Sequence, residues 1–153
     1  MQNPVEQEDS KWSRGSLRIV SGTIDPVDIA KQLGLEPTKT HVKGSPRSAR
    51  HNATWPSSLW LLNSPLTDQS DMADHIRYFL DLLEPKVHAL EALATNCKID
   101  LFCGFSSGNG QGGFVLDPHT LSRLAALKIP VVFDLYPPSV AAEDAEEGVL
   151  SGS

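Results

Sequence analysis

The chain has 153 residues and a mass of 16.6 kDa, enough for one domain with a core and too little for two ordinary ones. Its composition is that of a soluble globular protein, and its net charge of -6 argues against general nucleic-acid binding, which requires a basic excess. The sequence has no apolar run long enough for a membrane span, and its acidic N-terminal residues exclude a secretory signal, so we expect a cytoplasmic protein without a membrane partner.

Three regions follow from composition along the chain. We expect one folded domain over residues 15–138. Residues 1–14 are predicted to be a disordered polar arm, and residues 139–153 a disordered acidic tail with small side chains and no aromatic residue.

The first half of the domain predicts two strands and a short helix. Apolar residues alternate over 17–23, which is typical of a strand. Asp25-Pro26 then begins a helix, because the carboxylate caps free amides and proline fits the first helical position, and Gly34 ends it. Residues 37–58 are predicted to be a long loop, and residues 59–63 the next strand.

The second half begins with a long amphipathic helix over 71–95, which we expect to kink or restart at Pro85. Residues 99–105 alternate strictly as a strand, and residues 106–113 predict a wide glycine-rich hairpin turn into a returning strand at 114–116. Asp117-Pro118 repeats the earlier helix start, and a last strand covers 129–136. This order predicts an α+β two-layer sandwich, a mostly antiparallel sheet with helices on one face.

The strand alternation assigns residues to the sheet face that no helix covers. We expect this face to mix aromatic, aliphatic and charged side chains, as binding surfaces do, rather than to be mainly polar. The alternative is that the residues of one strand are assigned to the wrong faces of the sheet. The predicted residues are Arg18, Val20, Trp60, Leu62, Asp100, Phe102, Val132, Asp134 and Tyr136.

A basic segment lies beside this predicted surface. Residues 37–67 contain no Asp or Glu, while four cations are close together: Lys39, Lys43, Arg47 and Arg50. A basic loop next to an aromatic surface suits an acidic protein partner or a phosphorylated ligand. An ordinary solvated loop carries the same charges, and that alternative stays open.

Motifs for metal or phosphate binding are weak in this chain. His75 and His88 lie too far apart on one helix to bind the same ion, Cys97 and Cys103 lack partners at metal-ligand spacing, and the glycine-rich segment is not a P-loop. We therefore expect no metal, no cofactor and two reduced thiols. His75 alone is a candidate site residue, either as a neutral imidazole near a helix N-terminus or as a structural hydrogen-bonding group.

Several motifs recur in an order that resembles the bacterial family called domain of unknown function 4279. The resemblance covers about residues 17–136 and implies an α+β domain. It assigns no catalytic residue, and it makes a toxin-neutralising immunity role conceivable. The motifs are Leu33-Gly-Leu-Glu-Pro37, Lys43-Gly44, Trp60, Asp74-His75, Leu82-Leu-Glu-Pro85, Asp100-Leu-Phe-Cys103, Gly112-Gly-Phe114 and Phe133-Asp-Leu-Tyr136.

Three functions remain open at this stage. The leading prediction is a non-enzymatic interaction module that binds a protein, such as a toxin, or a second copy of itself. Its predicted surface centres on Trp60, Phe102 and Tyr136 with Lys43 and Arg47, and Trp60→Ala is expected to leave the fold intact. The alternative is a ligand-binding protein or enzyme whose pocket lies on the same face, with His75, Asp100 and Asp134 inside and loop 37–58 as a lid. A purely structural domain is the third.

Overall fold

The computed structural model describes residues 11–50 and 52–136, and it is mixed α+β as predicted. The predictions for residues 1–10 of the arm and for the tail, residues 139–153, fall outside the described residues. The elements are β1 (Trp12–Ser21), α1 (Pro26–Leu33), β2 (Lys39–His41), β3 (Pro46–Ser48), β4 (Ala53–Thr54), β5 (Ser58–Asn63), α2 (Met72–Leu83), α3 (Val87–Ala94), β6 (Lys98–Ser106), α4 (Pro118–Leu127) and β7 (Val131–Tyr136).

The main sheet has five strands in the order β2-β5-β1-β6-β7. Every neighbouring pair is antiparallel except β6 and β7, which run parallel. The first strand of the described residues, β1, is therefore central, with β5 on one side and β6 on the other. Strands β3 and β4 form a separate two-stranded ribbon.

All four helices contribute apolar residues to one core on one face of this sheet. The core includes Ile29 and Leu33 from α1, together with side chains from α2, α3 and α4, packed on Leu17, Ile19 and Leu101 of the sheet. Within the described residues, the helices are too short or too polar to cross a membrane.

The predicted helix boundaries are confirmed in physical detail. Asp25 Oδ1 accepts a hydrogen bond from the Val27 amide at 2.9 Å, and Gly34 ends α1 with a positive φ of 65°. The long helix is interrupted as expected, because Pro85 lies in a 3-10 turn, Glu84–Lys86, between α2 and α3. Arg123 of α4 donates to Asp81 and Glu84 and so joins α4 to α2.

Two boundaries differ from the sequence prediction. The segment 37–58 is not one long loop, since β2 pairs with the edge of β5 and β3 pairs with β4. Polar strands of two or three residues are too short to show an alternation of polar and apolar side chains. The folded part also begins before residue 15, because β1 starts at Trp12, whose ring lies against Tyr136 with centroids 5.0 Å apart.

The predicted hairpin at the glycine-rich segment is wrong. Residues 114–116 form no strand, and Phe114 and Leu116 instead pack against the core from an irregular connection. The chain then passes through α4 and returns as β7 parallel to β6. Parallel neighbours require such a crossover, so a tight turn after β6 has no strand to lead into.

Candidate functional site

Trp60 and Leu62 lie on the opposite face from the one predicted. Pairing of β1 with β5 sets Ile19 opposite Trp60 and Leu17 opposite Leu62, so both point toward the helices, and Trp60 is fully buried. The run Leu59-Trp-Leu-Leu62 is apolar at every position and therefore contains no parity signal. The prediction that Trp60 belongs to an exposed binding surface is wrong.

With that strand corrected, Leu59 and Leu61 replace Trp60 and Leu62 on the helix-free face of the sheet. We call this surface the open face. In the described part of the chain, its aliphatic and aromatic side chains neither belong to the core nor pack against it. The open face consists of Arg18, Val20, Leu59, Leu61, Asp100, Phe102, Val132, Asp134 and Tyr136.

A planar ion pair occupies the middle of the open face. Arg18 and Asp100 are cross-strand partners on β1 and β6, and they form two hydrogen bonds, Nε to Oδ1 at 2.8 Å and Nη2 to Oδ2 at 2.7 Å. The guanidinium carbon lies 4.1 Å from the centre of the Phe102 ring. The two charges neutralise each other on an aromatic support, so the centre of the open face carries little net charge.

An aromatic group ends the open face near the end of β7. Gly104 makes room for it, because a Cβ there would lie 3.2 Å from the Trp12 ring and 3.6 Å from the Tyr136 ring. Asp134 hydrogen-bonds the Tyr136 phenol and raises its pKa. Tyr136 stays 46% exposed, which leaves an aromatic surface available for contact.

The basic segment reaches the rim of the open face through β2. Pairing of β2 with β5 places Lys39 and His41 on the open-face side. His41 stacks on Trp55 with centroids 3.7 Å apart, and Arg47 lies over the same indole at 5.0 Å. Burial, with Lys39 and Arg47 nearby, lowers the pKa of His41 and keeps the ring neutral at pH 7.

Lys43 lies outside this aromatic stack. Its Nζ donates to the carbonyl of Gly22 at 3.4 Å, at the far end of β1. The rim of the open face therefore consists of Lys39, His41 and Arg47. Lys43 instead attaches the basic segment to the turn that follows β1.

The structure does not bring together the three polar residues of the predicted pocket. His75 is buried against Gly15 on the helix side of the sheet, whereas Asp100 and Asp134 lie on the open face. Asp134 pairs with Gly104, four positions beyond Asp100 on β6, so the two carboxylates do not share a site. Residues 11–50 and 52–136 contain no cluster of three or more potential metal ligands.

Sequence reasoning missed an apolar cleft beside the glycine-rich segment, on the helix side of β7. The cleft has a volume of about 510 Å³ and is lined by Phe105, Phe114, Phe133 and Leu135 together with glycines of residues 110–113. Leu135 is 68% exposed although its parity faces the helices. The available signal was the apolar character of Phe133 and Leu135, whose strand parity predicts helix cover although both side chains are exposed in the structure.

The chain belongs to the family described as Domain of unknown function (DUF4279), whose model matches residues 10–138. The resemblance noted from the motifs is thereby confirmed. Neither the curated proteins nor the solved structures contain a match.

Proposed function

We propose that this protein is an interaction module that binds another protein through the open face. The observation that carries the proposal is the composition of that face. Leu59, Leu61, Phe102 and Val132 form a partly exposed apolar surface on the side of the sheet opposite the helices. Apolar patches of this kind are rarely left bare on monomeric proteins.

The ion pair at the centre makes the open face suitable for burial. A lone charge would oppose association because it loses water without gaining a partner. Arg18 and Asp100 already satisfy each other at 2.7 and 2.8 Å, and Phe102 supports the guanidinium. A partner therefore covers a neutral, aromatic and arginine-containing surface, the composition found at interface centres.

The rim adds a preference for an acidic partner. Lys39 and Arg47 lie beside the open face in a segment without acidic residues, although the protein as a whole is acidic. Such local charge speeds association and selects partners by complementarity. The most specific form of the proposal is a cytoplasmic immunity protein of bacterial origin whose partner is a toxin, and a toxin gene beside this gene would support it.

Leu61→Lys tests the open face with Leu121→Lys as the matched control. Leu61 lies on the open face and Leu121 is an exposed leucine, 51% accessible, on α4. We expect the wild-type chain to self-associate in light scattering or to retain a protein of the source cell. Leu61→Lys should weaken that association at least about tenfold, a loss of roughly 1.4 kcal/mol.

Both variants should keep the wild-type melting temperature, since neither leucine belongs to the core. Equal association of the two variants would contradict the proposal. So would a wild-type chain that stays monomeric at all concentrations and retains nothing.

A further inference from the structure

A second, polar pocket lies at the end of β5, where the chain turns into the first turn of α2. Its volume is about 270 Å³, and none of its lining residues is among the nine listed for the open face. Main-chain hydrogen bonds from Ser13 to Asp68 and from Ser64 to Gly15 tie the β5–α2 connection to β1. The lining residues are Arg14, Gly15, Ser16, Asn63, Ser64, Leu66, Asp68 and His75.

Ser64 and His75 face each other in this pocket. Ser64 Oγ lies 2.8 Å from His75 Nδ1, and it also accepts a hydrogen bond from the Leu66 amide at 3.2 Å. The other ring nitrogen, Nε2, is buried and has no hydrogen-bond partner among the described residues. In the tautomer that carries its proton on Nε2, Nδ1 accepts the hydroxyl proton of Ser64.

The imidazole is held rigidly and kept neutral. His75 is 1% exposed, and its Cβ approaches β1 so closely that a Cβ at position 15 would lie 3.2 Å from it. Burial lowers the pKa of His75, and the carboxylates of Asp68 and Asp74 only partly oppose this effect. A neutral, oriented imidazole that accepts a serine proton is the arrangement of a general base beside its nucleophile.

Two further polar groups line the pocket, and both come from strand positions that share the parity of the open face. The Ser16 hydroxyl donates to Asn63 Oδ1 at 2.7 Å, which orients the carboxamide and leaves its N–H groups for another acceptor. Arg14, held by Asp68 through two hydrogen bonds, lines the same pocket.

We propose that Ser64 is a nucleophile and His75 its general base, in a pocket that takes a small polar ester. Ser64 Oγ bonds to the carbonyl carbon while its proton passes to His75 Nδ1. The bond to the alcohol oxygen then breaks, and the alcohol leaves with that proton. Water, deprotonated by the same nitrogen, releases the acid and restores Ser64. This function is separate from binding at the open face.

A fluorophosphonate probe tests the nucleophile without knowledge of the substrate. Attack forms a bond from Ser64 Oγ to phosphorus, breaks the phosphorus–fluorine bond, and moves the serine proton to His75 as fluoride leaves. We expect one adduct, on the peptide that contains Ser64, in the native full-length chain. Ser64→Ala should abolish it, and His75→Gln should slow labelling roughly 100-fold.

Ser45→Ala is the control, since Ser45 is half-buried and its hydroxyl donates to the Val42 carbonyl instead of an imidazole. It should label like the wild type. No labelling above that of the urea-unfolded chain would overturn the proposal, as would an unchanged rate in His75→Gln.

If His75→Gln fails to fold, the pH profile of wild-type labelling decides. The rate should stay constant at neutral pH and fall only below the ordinary histidine value of about 6.5, as the ring takes up a proton. Asp68, Asp74 and Arg14 are the charged groups around the ring in the described residues, and the hydrogen bonds from Arg14 lower the pKa of Asp68. A rate that rises steadily with pH, as for an unassisted hydroxyl, would overturn the proposal.

Discussion

Trp60 is the largest fully buried side chain of the described core. Its indole Nε1 has no hydrogen-bond partner among the described residues, so the ring contributes through apolar contact alone. The neighbouring Leu61 points to the open face. Adjacent residues on one strand therefore have different roles, one structural and one available for contact.

We expect Trp60→Ala to lower the free energy of unfolding by roughly 3–5 kcal/mol, because it leaves a large cavity. Trp60→Phe should cost clearly less, since it retains most of the apolar volume and removes a buried donor without an acceptor. Urea denaturation measures both. Leu61→Ala, the control one residue along, should shift the midpoint least, and an equal shift for Trp60→Ala and Leu61→Ala would show that the face assignment of β5 is wrong.

The side of the sheet on which a residue lies was predictable where polar and apolar residues alternate. Leu17, Ile19, Ile99 and Leu101 were assigned correctly from their own strands. Trp60 was not, because its register is fixed by hydrogen bonds to β1, some forty positions earlier in the chain. The contact of Ser64 with His75 was equally hidden, since it depends on how a loop closes over α2.

Among the elements, α1 and α4 begin in the same way, with Asp-Pro at the N-terminus. Asp25 caps the Val27 amide and Asp117 caps the Thr120 amide. The two helices end alike as well, each with a left-handed residue, Gly34 or Lys128. Local sequence therefore determines where these helices start, while packing on the sheet determines which way they face.

Substitutions of Asp117 distinguish the effect of its capping hydrogen bond from the effect of its negative charge. The hydrogen bond from the Thr120 amide, 2.7 Å long, lowers the pKa of Asp117 below that in the unfolded chain. Its charge therefore stabilises the fold above the unfolded value of about 3.8, and that stabilisation is lost as pH falls through the lower folded value.

Asp117→Asn should retain the cap and remove this contribution, so its melting temperature should fall less steeply than the wild type's below pH 4. Asp117→Ala should melt lower at every pH above 4. Thermal unfolding at pH 3, 4 and 7 measures both, and parallel curves for wild type and Asp117→Asn would contradict the assignment.

Connections were less predictable than the elements they join. The turn chemistry of residues 106–113 fits a hairpin, yet Phe114 and Leu116 gain more from packing on the core than from pairing as a strand. Strands β2 to β4 were missed because they bury almost nothing. The pairing of β2 depends on the exposed edge of β5, whereas β3 and β4 pair with each other, and no local sequence pattern predicts either contact.

At the scale of the whole molecule, β6 lies between β1 and β7 and contains the buried Cys103. Burial raises the pKa of the Cys103 thiol to about 12, and it also raises that of the half-buried Cys97. Both cysteines are free thiols in the structure. Only the thiolate form of a cysteine reacts, so a buried thiol is modified only when the structure around it opens. Modification of Cys97 and of Cys103 therefore reports smaller and larger openings of the fold, respectively.

We expect iodoacetamide at pH 8 to modify Cys97 slowly in the native chain and Cys103 only across the global urea transition. Peptide mass spectrometry at increasing urea concentrations distinguishes the two, and Cys97→Ser isolates the second event. Modification of Cys103 at the native rate of Cys97 would show that β6 opens without global unfolding.

The central place of β1 has a consequence for synthesis of the chain. Arg18 and Asp100 lie 82 positions apart in the chain, so β1 gains a partner on its second edge only after β6 has been synthesised. Until residue 106 has been synthesised, the nascent chain exposes Leu17 and Ile19 on a strand whose β6-facing edge is unpaired. Such edges recruit other strands, so fragments that stop before β6 are the species that depend most on chaperones.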